Sequence, residues 1–286
     1  MNEPIWQLKQ EMCEIGHRIW QRGYCAGNEG NHSFRISDDR VLSTPTGLSK
    51  GFLKPDMICT VDMDGKQIDT NNRYKRTSEI LVHLAIYKKR PDIKAVVHSH
   101  PPHATAFAVA EMPIPEGIHP EAEIFLGRVP MAHYATPGGP DLADSILQFI
   151  GPETNSIVLG NHGTVNFSDK SLTDAYYKLE ILDAYCRLLL LSHQLGRVNQ
   201  LSNQQLSELL QVKQLFGMTD ERAACALDGC IGQQNQPFLA QFDVRPATAV
   251  CDGQGDVQNT TTTDMNEQQF ESMVQAITDQ IMSAVK

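Results

Sequence analysis

Ile5, Leu8, Met12, Ile15 and Ile19 recur at intervals of three and four, the spacing of one buried helix face, and predict an amphipathic helix over residues 4–22 that stops at Gly23. The rhythm then shortens to that of strands. Short strands are expected over residues 33–36, 41–43 and 57–62, with Asp38 and Asp39 turning after the first and Met63, Asp64 and Gly65 after the third. Helical spacing returns in RTSEILVHLAIYKKRPD, where Thr77, Ser78 and Glu79 occupy the first turn, Thr77 or Ser78 caps it, and Leu81, Leu84 and Ala85 face the core. Ala95, Val96 and Val97 read as a buried strand that Pro101 and Pro102 stop. A short helix from His103 to Ala110 follows, then a loop rich in proline and acid, a strand near VPMAHY and a helix over DLADSILQFI. SIVLGNHGTVNF is a strand broken at Gly160 to Gly163. Leu172, Ala175, Leu179, Leu182 and Leu189 form the stripe of a long helix over residues 169–195, with further helices from Asn203 to Phe216 and after Thr219. Strands alternating with helices predict an α/β sandwich whose sheet is covered by helices.

The pattern fails after residue 231. Residues 231–263 are rich in Gln, Gly, Asn and Thr without apolar periodicity, and read as a linker that leaves residues 1–230 as the main domain. Residues 264–286 differ again: Phe270, Val274, Ile277, Ile281 and Val285 recur at helical spacing, and Asp264 with Glu267 has capping-box spacing. One short oily helix on a tether is marginal alone in water, so it is expected to dock into a partner's groove.

Composition removes some classes of partner. The net charge of -10 weighs against nucleic acid or an anionic membrane surface, so any anionic substrate must be held by local dipoles. The seven cysteines contain no C-x-x-C pair and are odd in number; no disulfide framework is expected, which fits a reducing cytoplasm. MNEPIWQLKQ lacks the apolar core of a signal peptide.

Candidate chemistry gathers at strand ends. In AVVHSHPP, the period of two sends His98 and His100 from one face of a strand, so their imidazoles can converge on a single ion. His162 sits at a second strand break among glycine and small polar residues. With Glu79 these histidines supply a ligand set that suits zinc. The loops at Gly27, Gly30 and Asn31 and at Thr44 to Gly47 leave backbone N–H groups for a concave anion nest, and the helix start at Thr77 and Ser78 is a ready place for phosphate.

Six motifs in register, GNHSFR, STPTG, RTSE, VVHSHPPH, HYATPGG and GNHGTV, make residues up to about 217 resemble the class II aldolase and adducin-like family, and within it the fuculose-phosphate aldolases. The resemblance implies a layered sandwich around a mainly antiparallel sheet. It implies one Zn2+ per subunit on His98, His100 and His162, with Glu79 approaching the metal as catalytic acid/base. Phosphate would be held by Gly30, Asn31, Thr46, Gly47, Thr77 and Ser78. The implied reaction cleaves L-fuculose 1-phosphate, or a related deoxyketose 1-phosphate, to dihydroxyacetone phosphate and lactaldehyde, in a homotetramer with sites at subunit boundaries. Decarboxylation, dehydration or epimerisation of a related sugar phosphate, or a non-catalytic adducin-like module, are the alternatives. Two tyrosines of the family pattern are absent, with Pro120 and Phe216 near their places; His119, Glu121 and Tyr134 are candidates for the missing proton donor. The tail resembles the encapsulation peptides of bacterial microcompartment enzymes, implying a shell or co-cargo partner and a place in the lumen.

Overall fold

The computed structural model describes residues 4–69 and 73–242, all within one compact unit, Met1–Val244. Seven strands, β1 (Asn31–Ser37), β2 (Arg40–Ser43), β3 (Cys59–Asp62), β4 (Ala95–Ser99), β5 (Met131–Ala132), β6 (Ser156–Leu159) and β7 (Gly163–Ser168), form one sheet in the order β3-β2-β1-β4-β7-β6-β5. Every pairing is antiparallel except β5 with β6. The strand expected over SIVLGNHGTVNF is two strands, β6 and β7, paired through Leu159 and Gly163. Asn161 takes φ 53° in the turn between them, a left-handed conformation that asparagine tolerates better than bulky residues.

Alternation along β4 separates two cores. Val96 joins Val41, Val61, Val165 and Phe167 beneath helix α2 (Ile80–Lys89) and helix α5 (Pro140–Ile146). Ala95 and Val97 point the other way, into the cluster built by helix α1 (Ile5–Gln21) and the first half of helix α6 (Leu172–Gln194). By the same period, His98 shares the face of Val96, the side on which α2 begins. A third cluster joins helix α3 (Pro102–Val109), helix α4 (Pro120–Phe125) and the second half of α6.

Several expectations shift by a residue or more. Glu79 stands at the N-cap of α2, whose buried residues are Ile80, Val82, His83, Leu84, Ile86 and Tyr87; Leu81 and Ala85 are only half-buried, because the helix lays its other flank on the sheet. Neither Thr77 nor Ser78 caps the helix by its side chain. In α1, Ile5 is exposed although Leu8, Met12, Ile15 and Ile19 are buried.

The largest correction is at the supposed linker. The packed body continues past residue 230: after helix α7 (Asn203–Leu215), the chain forms short 3-10 turns and helix α8 (Gln236–Leu239). Phe238 is 2% exposed and packs against the Phe107 and Phe242 rings. Burying one such ring is worth about 2–3 kcal/mol. Asn235 also donates to the Glu116 carbonyl at 2.7 Å and accepts from the Glu116 N–H at 2.8 Å. The segment lacks periodicity because single residues, not a helical stripe, attach it. Cys225 and Cys230 form a local disulfide, a bridge that the absence of a cysteine framework did not signal. The 3-10 turns Glu221–Ala224 and Ala226–Asp228 fold the chain back at Gly229, φ 80°, and bring the two sulfurs together. The rest of the expected linker and the predicted helix over residues 264–286 lie outside the described residues.

Candidate metal and catalytic site

His98 ends the buried face of β4, His100 follows it, and His162 lies in the turn entering β7, the neighbouring strand. Their ring centroids stand 4.7 to 5.0 Å apart, and one ligand nitrogen from each lies within 4.8 Å of the others. Two of the imidazoles are oriented from behind. His98 Nδ1 is 2.9 Å from the Thr164 carbonyl, which can only accept, so Nδ1 carries a proton and Nε2 is the nitrogen turned to the site. His100 Nδ1 is held 3.2 Å from Glu29 Oε2, again freeing Nε2. The Nε2 atoms of His98 and His100 face each other at 3.2 Å, a separation at which two lone pairs want a shared cation or proton between them. Such outer partners are how metal-binding histidines are aimed.

Glu79 enters from the start of α2. Its Oε2 lies 3.3 Å from His98 Nε2 and its Oε1 3.4 Å from His162 Nε2. Asn31 Nδ2 donates to Oε2 at 2.7 Å, whereas Oε1 is buried with no hydrogen-bond partner. Burial would raise the Glu79 carboxyl, but the His98 charge and hydrogen bond, then His162 and Asn31, hold it well below the usual carboxylate range. Burial works against a charged His98, and the Glu79 carboxylate outweighs it, so His98 is raised. Burial and then the His98 charge push His162 down to about 4, leaving a neutral ligand at neutral pH. Imidazole nitrogens converging on a point, beside an orphaned carboxylate oxygen, fit a divalent ion.

The expected phosphate residues occupy loops on the same side. An isolated bridge between Pro45 and Arg76 holds Thr46 and Gly47 beside Thr77 and Ser78. The Thr46 N–H donates to the Lys75 carbonyl and the Thr77 N–H to the Thr44 carbonyl. Those two amides are therefore spent on joining the loops. Gly30 and Gly47 have φ of 68° and 73°, and no atom lies within 4 Å of where a Cβ on Gly47 would fall. Thr46, Gly47 and Ser78 are exposed, while Asn31 and Thr77 are buried.

Sequence reasoning missed Lys50. It is 1% exposed, and its Nζ donates to the Asn28 carbonyl at 3.0 Å and the Leu48 carbonyl at 2.6 Å, tying the two glycine loops together. Burial pushes the ammonium down to about 8 against the opposing pull of Cys25 and Glu79. A lysine among SKGFLK carries no periodic signal that would single it out. Glu29, in the GNEGN loop, carries none either.

The candidate proton donors are scattered. His119 pairs with Glu121 at 3.3 Å and stacks near Tyr185. Tyr134 is 58% exposed, and its backbone nitrogen is 3.1 Å from where a Cβ on Gly160 would fall, so it stands at the sheet end that carries His162. Phe216 is exposed on the surface, and Pro120 opens α4.

An α/β body whose mainly antiparallel sheet gathers three imidazoles and a carboxylate at one end presents the donor set of a divalent-metal site. Residues 10–190 match the family described as Class II Aldolase and Adducin N-terminal domain, and the chain belongs to it. Among its relatives, L-fuculose phosphate aldolase of Methanococcus vannielii is 37% identical over 179 residues, 63% of this chain and 93% of the relative. The 3-oxo-tetronate 4-phosphate decarboxylase of Haemophilus influenzae is 34% identical over 184 residues, 64% of this chain and 85% of the relative. The crystal structure of YgbL from Escherichia coli superposes with a TM-score of 0.66 at 29% identity, covering 72% of this chain and 98% of that one. No helix among the described residues is long and apolar enough to cross a membrane.

Proposed function

We propose that the chain is a zinc-dependent aldolase that cleaves L-fuculose 1-phosphate, or a related deoxyketose 1-phosphate, to dihydroxyacetone phosphate and lactaldehyde. The observation that carries this reading is the approach of His98, His100 and His162 to one point with Glu79 Oε1 buried and unpartnered beside it. Three histidines that leave positions open are the arrangement of catalytic zinc. A divalent ion bound there supplies Lewis-acid polarisation of the ketose oxygens.

The chain's own residues do the rest. Gly30, Asn31, Thr46, Gly47, Thr77 and Ser78 hold the phosphate through neutral donors. The buried Lys50 ammonium adds positive potential behind the glycine loops, which is how a protein of net charge -10 can hold a dianion. Glu79, aimed by Asn31, moves a proton at the substrate carbon through Oε1. The aldehyde end faces His119, Glu121 or Tyr134 in place of the family's tyrosines.

Decarboxylation of a 3-oxo-tetronate 4-phosphate is the second reading, favoured by the relative of that name. Both reactions release dihydroxyacetone phosphate, so a coupled assay for it separates them by substrate, with L-fuculose 1-phosphate and the tetronate offered in turn. Release of dihydroxyacetone phosphate from L-fuculose 1-phosphate supports the aldolase; carbon dioxide from the tetronate, with no triose phosphate from the ketose, overturns it.

We infer further that the enzyme works as a homotetramer and that residues 264–286 dock to a microcompartment shell or co-cargo protein. The amphipathic spacing of Phe270, Val274, Ile277, Ile281 and Val285 supports the docking. Full-length chain that fails to co-purify with shell protein any better than chain lacking residues 264–286 would remove it.

A further inference from the structure

Behind Glu79 lies a file of buried polar side chains that the proposed chemistry has not used. Glu79, His83 and Tyr87 are spaced by four on the start and body of α2, and Asn31 and Ser33 by two on β1. The helical and strand periods therefore bring five polar groups face to face between α2 and the sheet. Asn31 Nδ2 meets Glu79 Oε2 at 2.7 Å, and Asn31 Oδ1 meets His83 Nε2 at 2.6 Å. His83 Nδ1 meets Ser33 Oγ at 2.7 Å, and Ser33 Oγ meets the Tyr87 hydroxyl at 2.9 Å. Ser33, His83 and Tyr87 are fully buried and Asn31 is 4% exposed.

The direction of every proton follows from the far end. A carboxylate only accepts, so Asn31 turns its amide nitrogen to Glu79 and its carbonyl to His83. His83 Nε2 must then donate. With the ring neutral, Nδ1 accepts from Ser33, whose one proton is spent, so Ser33 accepts in turn from Tyr87. The Lys94 carbonyl, 3.3 Å from the Tyr87 hydroxyl, is the longer alternative acceptor. An apolar set would pack α2 on β1 without placing polar atoms in the core, so stability alone gives little reason for the file. It ends, moreover, on a carboxylate whose other oxygen is left open.

We propose that Tyr87, Ser33, His83 and Asn31 are a one-way donor chain that holds Glu79 Oε2 and so reserves Oε1 as the oxygen that exchanges a proton with substrate. His83 is its central positioning residue. Donors aligned in series polarise one another, and a base fixed in place loses less in reorganisation at each turnover. The inference deepens the aldolase reading and rests on it for the identity of the transferred proton.

Two measurements on the full chain test it. In 15N-labelled, metal-free protein, NMR should find His83 as the Nε2–H tautomer; the Nδ1–H tautomer overturns the chain whatever the substrate. The second follows exchange of a carbon-bound hydrogen of dihydroxyacetone phosphate with D2O, in which Glu79 takes the proton and returns a deuteron to the same carbon. His83→Phe should slow exchange roughly 10- to 100-fold, as expected for loss of one buried hydrogen bond to the file, with metal content and KM unchanged. His83→Gln, whose amide nitrogen reaches the Nε2 position, should recover most of the rate, whereas His83→Asn should not. Equal losses in the Gln and Phe variants, or a wild-type rate in His83→Phe, overturn the proposal. Should His83→Phe fail to fold, Tyr87→Phe should slow exchange in the same sense by a smaller factor, and an unchanged rate there counts against the chain. Wild-type protein that exchanges nothing fails the aldolase reading, and the tautomer then still decides the donor chain.

Discussion

Replacing Glu79 by glutamine separates the carboxylate's chemical role from its structural one. Asn31 Nδ2 donates to Oε2 at 2.7 Å, so the new carbonyl oxygen must take that place, because an amide nitrogen there would oppose another donor. The new N–H group then falls where Oε1 was, toward His162 Nε2, 3.4 Å away. Side-chain shape and the Asn31 bond are kept, and the charge opposite His98 is lost. The fold should therefore keep its stability to within roughly 1–2 kcal/mol, the net worth of a charged hydrogen bond set against the burial cost that disappears. Catalysis has no such compensation, since an amide cannot take a proton at Oε1: turnover should fall about 10²- to 10⁴-fold, the usual contribution of a placed acid/base. The assay couples triose phosphate release to a nicotinamide readout, with metal content and urea unfolding measured on the same samples. A variant that keeps its metal and retains turnover within a factor of about three, against the 10²-fold minimum expected of such a group, would refute the assignment.

His162→Ala should lower metal occupancy and abolish ketose cleavage without unfolding the chain, because His162 lies in a turn and not in the core; metal content and circular dichroism check this. Phe238→Ala should cost about 3–5 kcal/mol in urea unfolding, whereas a change below about 1 kcal/mol would return that segment to a linker. Asp220 gives a pH dependence. Burial would raise its carboxyl, but Arg222 and then Lys213 bring it down to about 2. Its folded value is thus below its ordinary one of 3.8, so its stabilisation is present above pH 3.8 and is lost as pH falls toward 2. Asp220→Asn should flatten unfolding stability against pH in that window, and an unchanged slope would contradict the pairing. Lys50→Met should weaken competition by inorganic phosphate and raise KM more than it lowers kcat, as loss of binding charge requires.

How much could be read in advance differs between the sheet and what surrounds it. The period of two is rigid, so His98 and His100 could be assigned to one face from spacing alone, and the structure brings both to His162. A glycine-rich break likewise marked the turn that carries His162, although the pairing of β6 with β7 was hidden in one apolar run. Helix α2 was legible as a helix, but not its buried face, because it is apolar on nearly every side. Lys50, Glu29 and His83 were invisible for a shared reason: each matters through a partner far away in the chain, Asn28 for Lys50, His100 for Glu29, Asn31 for His83. Residues 231–242 misled in the opposite way, since their polar composition conceals the few contacts, Phe238 and Asn235, that fasten them to the body.

X-ray absorption at the zinc edge of the full chain, as purified and after reloading, tests the site most directly. The account predicts about one zinc per chain with three imidazole nitrogens at roughly 2.0–2.1 Å and oxygen donors completing the site, and one nitrogen fewer in His162→Ala. Protein that binds no divalent ion, or binds one with a spectrum that His162→Ala leaves unchanged, contradicts it.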